Sequence, residues 1–260
     1  MFQRLLAVSI MTLMVQSPLR SQGDPVAAGR TAMNAYDLTA ARRHLEEAVR
    51  RDPDGYEANW RLALVLVDVG KQIREPARRA SRDSVYRAAE SYARRAVAAN
   101  SADAEGHFVL ANALGRRALS LGKRDRLKAA AEIKAQAERA IALDARHHGA
   151  LHVLGRWHAE IKGLSSVERF LAKNVLGGKG LAAASWDEAE RNMQLAVQYG
   201  PNIIYHRLDL AEVLDARKKW TAAKEQVDAI AAMTPRDPSD LRYQAEAKAL
   251  GVRLRGKLRP

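Results

Sequence analysis

The amino-acid sequence predicts an all-α solenoid of stacked helical hairpins, on three observations. Trp186, Ala189, Met193, Ala196 and Pro201 recur 34 positions later as Trp220, Ala223, Val227, Ile230 and Pro235. A fixed interval of this size, with an aromatic, a small residue, further apolar anchors and a proline at constant offsets, marks stacked helix pairs. Composition agrees: Ala, Leu and Arg are plentiful while Phe numbers three and Pro eight, a balance that favours helix. Finally, no segment reads as a convincing strand. Leu62–Val69 comes closest as a short apolar run, and it falls inside a repeat.

The chain opens with a short positive stretch, Met1–Arg4, then a mainly apolar region of 11 residues, Leu5–Val15, then a polar stretch with small Ser21 and Gly23. This pattern predicts a signal peptide over residues 1–23, cleaved before Asp24. Eleven residues fall short of the roughly 20 that span a hydrocarbon core. The expected location is therefore outside the cytoplasm, in a bacterial periplasm, with a membrane anchor or an organelle-targeting segment as the alternative.

Residues 24–254 divide into about five hairpins, each an A helix and a B helix. The first covers about 24–55, with Ala41, Leu45, Ala48 and Pro53 at B-helix positions. The second starts at Tyr56 and carries Leu62, Ala63 and Gly70, then Ala89, Ala96 and Val97. Leu110, Ala111, Leu114, Ala140 and Ile141 belong to the third, which starts at Ala104; the fourth starts at His148 and carries Leu154–Gly155. Residues 204–237 form the fifth. The second, third and fourth exceed 34 residues, and their additions fall between the A and B helices, on one edge of a solenoid.

Residues 71–87 hold six basic and two acidic side chains, and residues 116–128 six and one. The fourth-hairpin addition instead predicts a helix of its own. Ser165 and Glu168 make a capping box, Val167, Phe170, Leu171 and Val175 an apolar face, and Gly177–Gly178 a stop. After the repeats, Pro238 opens a capping helix to about Leu254, and residues 255–260 read as a basic tail.

The two clearest windows resemble tetratricopeptide repeats, in which A-helix positions line a concave groove. That resemblance implies a binding groove of Trp60, Leu64, Val67, Phe108, Asn112, His152 and Arg156, continuing to Leu208 and Glu212. Trp60, Leu64 and Val67 share a helix face at i, i+4, i+7, and the Arg156 guanidinium suits a carboxylate or phosphate. The competing reading is that the addition helix of residues 164–176 fills the groove and turns the apolar stripe into core.

The chain further resembles the regulator of microtubule dynamics family across about residues 56–250. The resemblance rests on Trp60–Ala63, Tyr92–Ala96, Leu127–Asp144, His152–Trp157, Leu164–Lys173 and Ser185–Ala189. It departs at Ser166, where the family has an aromatic, and at Gly177–Gly180, where the family has a Phe and a Pro pair. The resemblance implies the repeat fold and, as an alternative function, a microtubule-associated role. An export signal argues against that role.

No cysteine is present, which excludes disulfides, thiolate metal sites and cysteine nucleophiles. His148 and His152 have the one-turn spacing of paired imidazole ligands, but no HExxH motif or third ligand accompanies them. His147 is expected to be exposed at a turn. The GGKG of residues 177–180 lacks the strand and the Ser or Thr of a phosphate loop, and the arginine pairs Arg42–Arg43, Arg50–Arg51 and Arg94–Arg95 read as solvated faces. No catalytic triad or carboxylate pair assembles. The expected function is accordingly a non-enzymatic adaptor without metal or cofactor, binding a protein or peptide through the groove and a basic edge. A carrier of a lipid or other anionic amphiphile is the alternative. The net charge of +13 allows an anionic membrane surface as partner and also fits an arginine-rich codon bias; nucleic acid is not expected.

Overall fold

The computed structural model describes residues 23–165, 183–236 and 238–258. Among them, helices α1 (Pro25–Asn34) and α2 (Leu38–Arg51) form the first hairpin, α3 (Tyr56–Gln72) and α4 (Arg79–Ala99) the second, and α5 (Ala104–Ala118) and α6 (Lys123–Leu143) the third. The fourth pairs α7 (His148–Gly163) with α8 (Trp186–Tyr199), the fifth α9 (Ile204–Ala216) with α10 (Trp220–Ala231), and α11 (Pro238–Lys257) caps the stack. No described helix is long and apolar enough to cross a membrane. The expected signal peptide, and the expected helix around Phe170, lie outside the described residues.

Local chemistry sets the helix starts. Asp24 accepts from the Val26 amide ahead of Pro25, Asp37 from Ala40, Asp103 from Glu105 and Ser185 from Glu188, each satisfying an amide that has no intrahelical partner. The turns after α1 and α9 close through Tyr36 (φ 56°) and Lys218 (φ 62°), left-handed positions where glycine is more usual.

The periodic residues form the core. Ala41, Leu45, Leu62, Ala63, Ala89, Ala96, Ala111, Ala140, Ala189, Met193, Ala196 and Ala223 are 0 % exposed, because each lies where two helices touch. Gly70 and Gly155 belong to the same scheme. A methyl at Gly70 would meet the Tyr86 ring at 2.3 Å, and one at Gly155 would meet Met193 Cγ at 2.9 Å. These glycines allow close approach between the helices of a hairpin.

Two expectations change. The additions of residues 71–87 and 116–128 extend B helices more than they build loops: α4 and α6 are each 21 residues long, against 14 for α8 and 12 for α10. The helix expected to end at Leu254 runs on to Lys257, so Arg255 and Lys257 are not in a tail. Leu250 and Leu254 are buried against the last hairpin, and Lys257 pairs with Asp215 at 2.5 Å. Burial of the apolar face carries the helix past the point where its sequence turns basic.

Candidate functional site

The A helices line the inner face of the solenoid, and helical spacing puts one stripe of each on that face. On α3 the stripe is Trp60, Leu64 and Asp68; on α5 it is Phe108, Asn112 and Arg116. His152, Arg156 and Glu160 form it on α7, and Tyr205, Asp209 and Glu212 on α9.

The structure treats the seven expected groove residues unequally. Trp60 and Leu64 are partly buried against the core of the second to fourth hairpins. Val67 is 0 % exposed and belongs to the core itself, so it offers nothing to a ligand. Phe108 is also buried; its ring stacks at 4.7 Å on His147 and fills the space beside Gly149. Asn112 is partly exposed. His147, expected at the surface, is buried and caps α7 by accepting from the Ala150 amide through Nδ1 at 3.1 Å.

His152 and Arg156 are brought together, but on Asp209 of the next hairpin. His152 Nε2 donates to Asp209 Oδ2 at 2.6 Å, and Arg156 Nη1 lies 3.4 Å from Asp209 Oδ1 and 3.1 Å from Glu212 Oε2. The other Arg156 amino group meets Glu160 at 2.5 Å. Burial outweighs the Asp209 charge and holds His152 below the usual imidazole range, so it is neutral. Burial would raise Asp209, yet the His152 hydrogen bond and the Arg156 charge hold its carboxyl below the usual range. Arg156 is thus committed to three carboxylates and is not an open anion receptor.

Beside this pair, His148 Nδ1 and His206 Nε2 lie 2.9 Å apart, and the His152 and His206 rings 4.7 Å apart. His206 Nδ1 is buried without a partner among the described residues. An unpaired acceptor is tolerated better than an unpaired buried N–H, so His206 carries its proton on Nε2 and donates to His148. The imidazoles at 148 and 152 therefore serve the seam between α7 and α9. Among the described residues no three His, Asp or Glu side chains converge as metal ligands.

Sequence reasoning missed the closure of the inner face. Lys71, near the end of α3, sets its Nζ 5.6 Å from the centre of the Tyr205 ring on α9, and Tyr205 packs at 5.8 Å on Tyr243 of α11. The second hairpin therefore touches the fifth across the lumen. Nothing local to Lys71 or Tyr205 signals this contact; it follows from the summed curvature of the repeats.

The profile of the regulator of microtubule dynamics protein 1-3 family matches residues 26–255. The chain belongs to that family. The match spans the hairpins and nearly all of α11, so the repeat solenoid is the family's fold in this chain. No curated protein sequence matches significantly. Among solved structures, TTC0263, a tetratricopeptide-repeat protein of Thermus thermophilus, superposes with a TM-score of 0.62 at 18 % identity, over 88 % of this chain and 97 % of that one. The pilF protein of Pseudomonas aeruginosa gives 0.52 at 14 % identity, over 90 % of each chain. At such identities the likeness is one of fold alone.

Proposed function

We propose that this family member is a non-enzymatic tetratricopeptide-repeat adaptor that binds an acidic segment of a protein or peptide along its basic edge and into its groove. The observation that carries this reading is the Ser120 hydroxyl donating to the Asp83 carboxylate. That contact sets the two basic additions side by side, since Asp83 belongs to one and Ser120 to the other. Arg78 and Arg79 there keep 60 % and 63 % of their side chains exposed, and Arg87 is exposed too. The acidic neighbours of the first two lie at 3.8 and 3.9 Å, in water, where such pairs contribute little. These cations remain available to an anionic partner.

An adaptor is favoured over an amphiphile carrier because Arg156, the expected head-group anchor, is already paired, and Val67 and Phe108 are core. The proposed setting is extracytoplasmic, after loss of residues 1–23; N-terminal sequencing of the mature protein tests it, and an intact Met1 on cytoplasmic protein would count against it. The binding test uses fluorescein-labelled hexaglutamate. Wild-type binding is expected to weaken steeply with salt, and Arg78→Glu/Arg79→Glu/Arg87→Glu to weaken it about ten-fold or more at low salt. Equal binding by wild type and triple variant at low and high salt would remove the edge from the reading.

A further inference from the structure

Helix α11 stands where a sixth hairpin would begin. It starts at Pro238, 34 positions after α9 starts at Ile204, and it packs on α9 and α10 as α9 packs on α7 and α8. That register identifies the face of α11 that a B helix would meet. In the fifth hairpin, Arg207 of α9 donates to Gln226 of α10 at 3.0 Å, and Ala211 and Leu214 are buried with Ala223 and Val227 of α10 in one apolar cluster. Gly155, at the same offset from the start of its own A helix as Ala211, lies against the Ala189 carbonyl and Met193 of α8. One 34-residue step onward, Arg207, Ala211 and Leu214 become Leu241, Ala245 and Lys248. All three are exposed, Leu241 by 62 %. Helical spacing carries the stripe on to Val252, which is 55 % exposed. Among the described residues no helix covers this face.

We propose that this stripe is a docking place for an acidic, amphipathic helix of a partner protein, which lies on α11 as each B helix lies on its A helix. Ala245 is the small residue at the crossing, with Leu241 and Val252 on either side of it along the helix. Isolated apolar side chains on a surface are ordinary, but these share one stripe whose counterparts in the hairpin before are covered by α10. Charge selects the partner. From Pro238 to Lys257 the helix carries five basic and two acidic side chains. Arg242 pairs with Glu246 at 3.1 Å, Lys257 pairs with Asp215 at 2.5 Å, and Asp240 is buried and accepts from the Arg236 amide. Lys248, Arg253 and Arg255 are exposed and form no ion pair with a described residue. By helical spacing Lys248 and Arg255 border the stripe on one side and Arg253 on the other. A second copy of α11 would oppose these cations with its own, whereas carboxylates on an incoming helix complement them. Helix α8 shows what such a helix looks like, with Asp187, Glu188 and Glu190 around Ala189. The place lies apart from the basic edge, so it goes beyond the adaptor reading by adding a second surface for protein.

The probe is a fluorescein-labelled peptide of residues 185–200, stapled to hold it helical as in α8, and its binding to the full chain is read by anisotropy. Wild type is expected to bind it. Leu241→Asp/Val252→Asp, and Ala245→Glu, which adds bulk and an opposing charge, should each weaken binding about ten-fold or more. Lys248→Glu/Arg255→Glu should weaken it several-fold, most at low salt. A peptide carrying Ala189→Leu should bind roughly ten-fold more weakly, because the crossing admits a small residue. All the substituted residues of the protein are exposed, so the thermal melts should match wild type. The Arg78→Glu/Arg79→Glu/Arg87→Glu protein should bind the peptide as wild type does, so the edge and this place fail separately. No binding by wild type, or equal binding by wild type and the stripe variants, overturns the proposal and leaves the edge reading standing. A dimer in sedimentation velocity that Leu241→Asp abolishes overturns it in favour of a second copy. Binding to phosphatidylglycerol vesicles that needs Leu241 and Val252, with no peptide binding, overturns it in favour of a membrane surface.

Discussion

Ala189 and Ala223 show what a single residue does in this solenoid. Each sits at the start of a B helix, 0 % exposed, where that helix crosses the A helix before it. A methyl is the largest group the crossing admits, and at Ala189 the backbone carbonyl is itself 3.2 Å from where a side chain on Gly155 would begin. Ala189→Leu and Ala223→Leu are each expected to overpack the contact and to cost about 1–3 kcal/mol. Urea denaturation reads this as a lower midpoint, and unchanged midpoints for both would show that the helices do not touch there. Arg156 teaches the opposite lesson at the same scale. Its identity and spacing suggested an anion receptor, but Asp209, Glu212 and Glu160 occupy it. The spacing of Arg156 within α7 holds no information about carboxylates on α9.

Successive hairpins are held together by a repeated ion lock. In α4, Glu90 follows the buried Ala89 and meets Arg117 at the end of α5; in α8, Glu190 follows the buried Ala189 and meets Arg217 just beyond α9 at 2.7 Å. Each carboxylate takes a second cation, Arg94 at 2.9 Å for Glu90 and Lys219 at 2.8 Å for Glu190. Arg94 also reaches across to Glu132 of α6 through two bonds of 2.6 and 2.9 Å, so one member of a solvated arginine pair is also a clamp between hairpins. The Glu190 side chain is 10 % exposed and that of Arg217 is 20 %, so water screens this lock only in part. Glu190→Gln leaves Arg217 with weaker compensation and is expected to destabilise by about 1–3 kcal/mol, less than a fully buried pair because Lys219 is half exposed. The checking measurement is the urea midpoint in low and in high salt. A variant as stable as wild type in both would show that the lock contributes nothing.

Across the whole molecule, the seam between the fourth and fifth hairpins combines closure with acid sensitivity. His148, His152 and His206 are each held below the ordinary imidazole value, first by burial. Neighbouring cations add to this: Lys71 acts on His206, and Arg116 and Arg156 act on His152. Asp209 opposes it at His152, as do Glu105 and Asp144 at His148. A lowered folded-state value means that the unfolded chain binds the proton more readily. Stability is therefore complete above the unfolded imidazole value of about 6.5 and declines as the pH falls below it toward the folded values. The Asp209 carboxyl, lowered as well, adds its own loss only below about 3.9. The urea midpoint is expected to drop between pH 7.5 and 5.0, and His206→Asn, although less stable overall, should show a smaller drop. An equal drop in both proteins would place the acid sensitivity elsewhere.

The all-α class, the hairpin boundaries and most of the core are legible in the residues alone. Ala41, Leu62, Ala189 and Ala223 are set by contacts within a repeat or with its neighbour, and such contacts impose a period that a chain must write into its residues. Capping is equally local, as where Ser185 starts α8 by accepting from the Glu188 amide three residues on. The stacking of the hairpins sets the rest. Whether Arg156 is open or paired, whether Val67 faces a ligand or the core, and whether Lys71 meets Tyr205 all depend on superhelical curvature. That curvature sums small rotations at every hairpin interface, including those widened by the long α4 and α6, and no stretch of sequence carries the sum. The basic edge stands between the two. Its charges are plain in residues 71–87 and 116–128, but their union waits on Ser120 meeting Asp83.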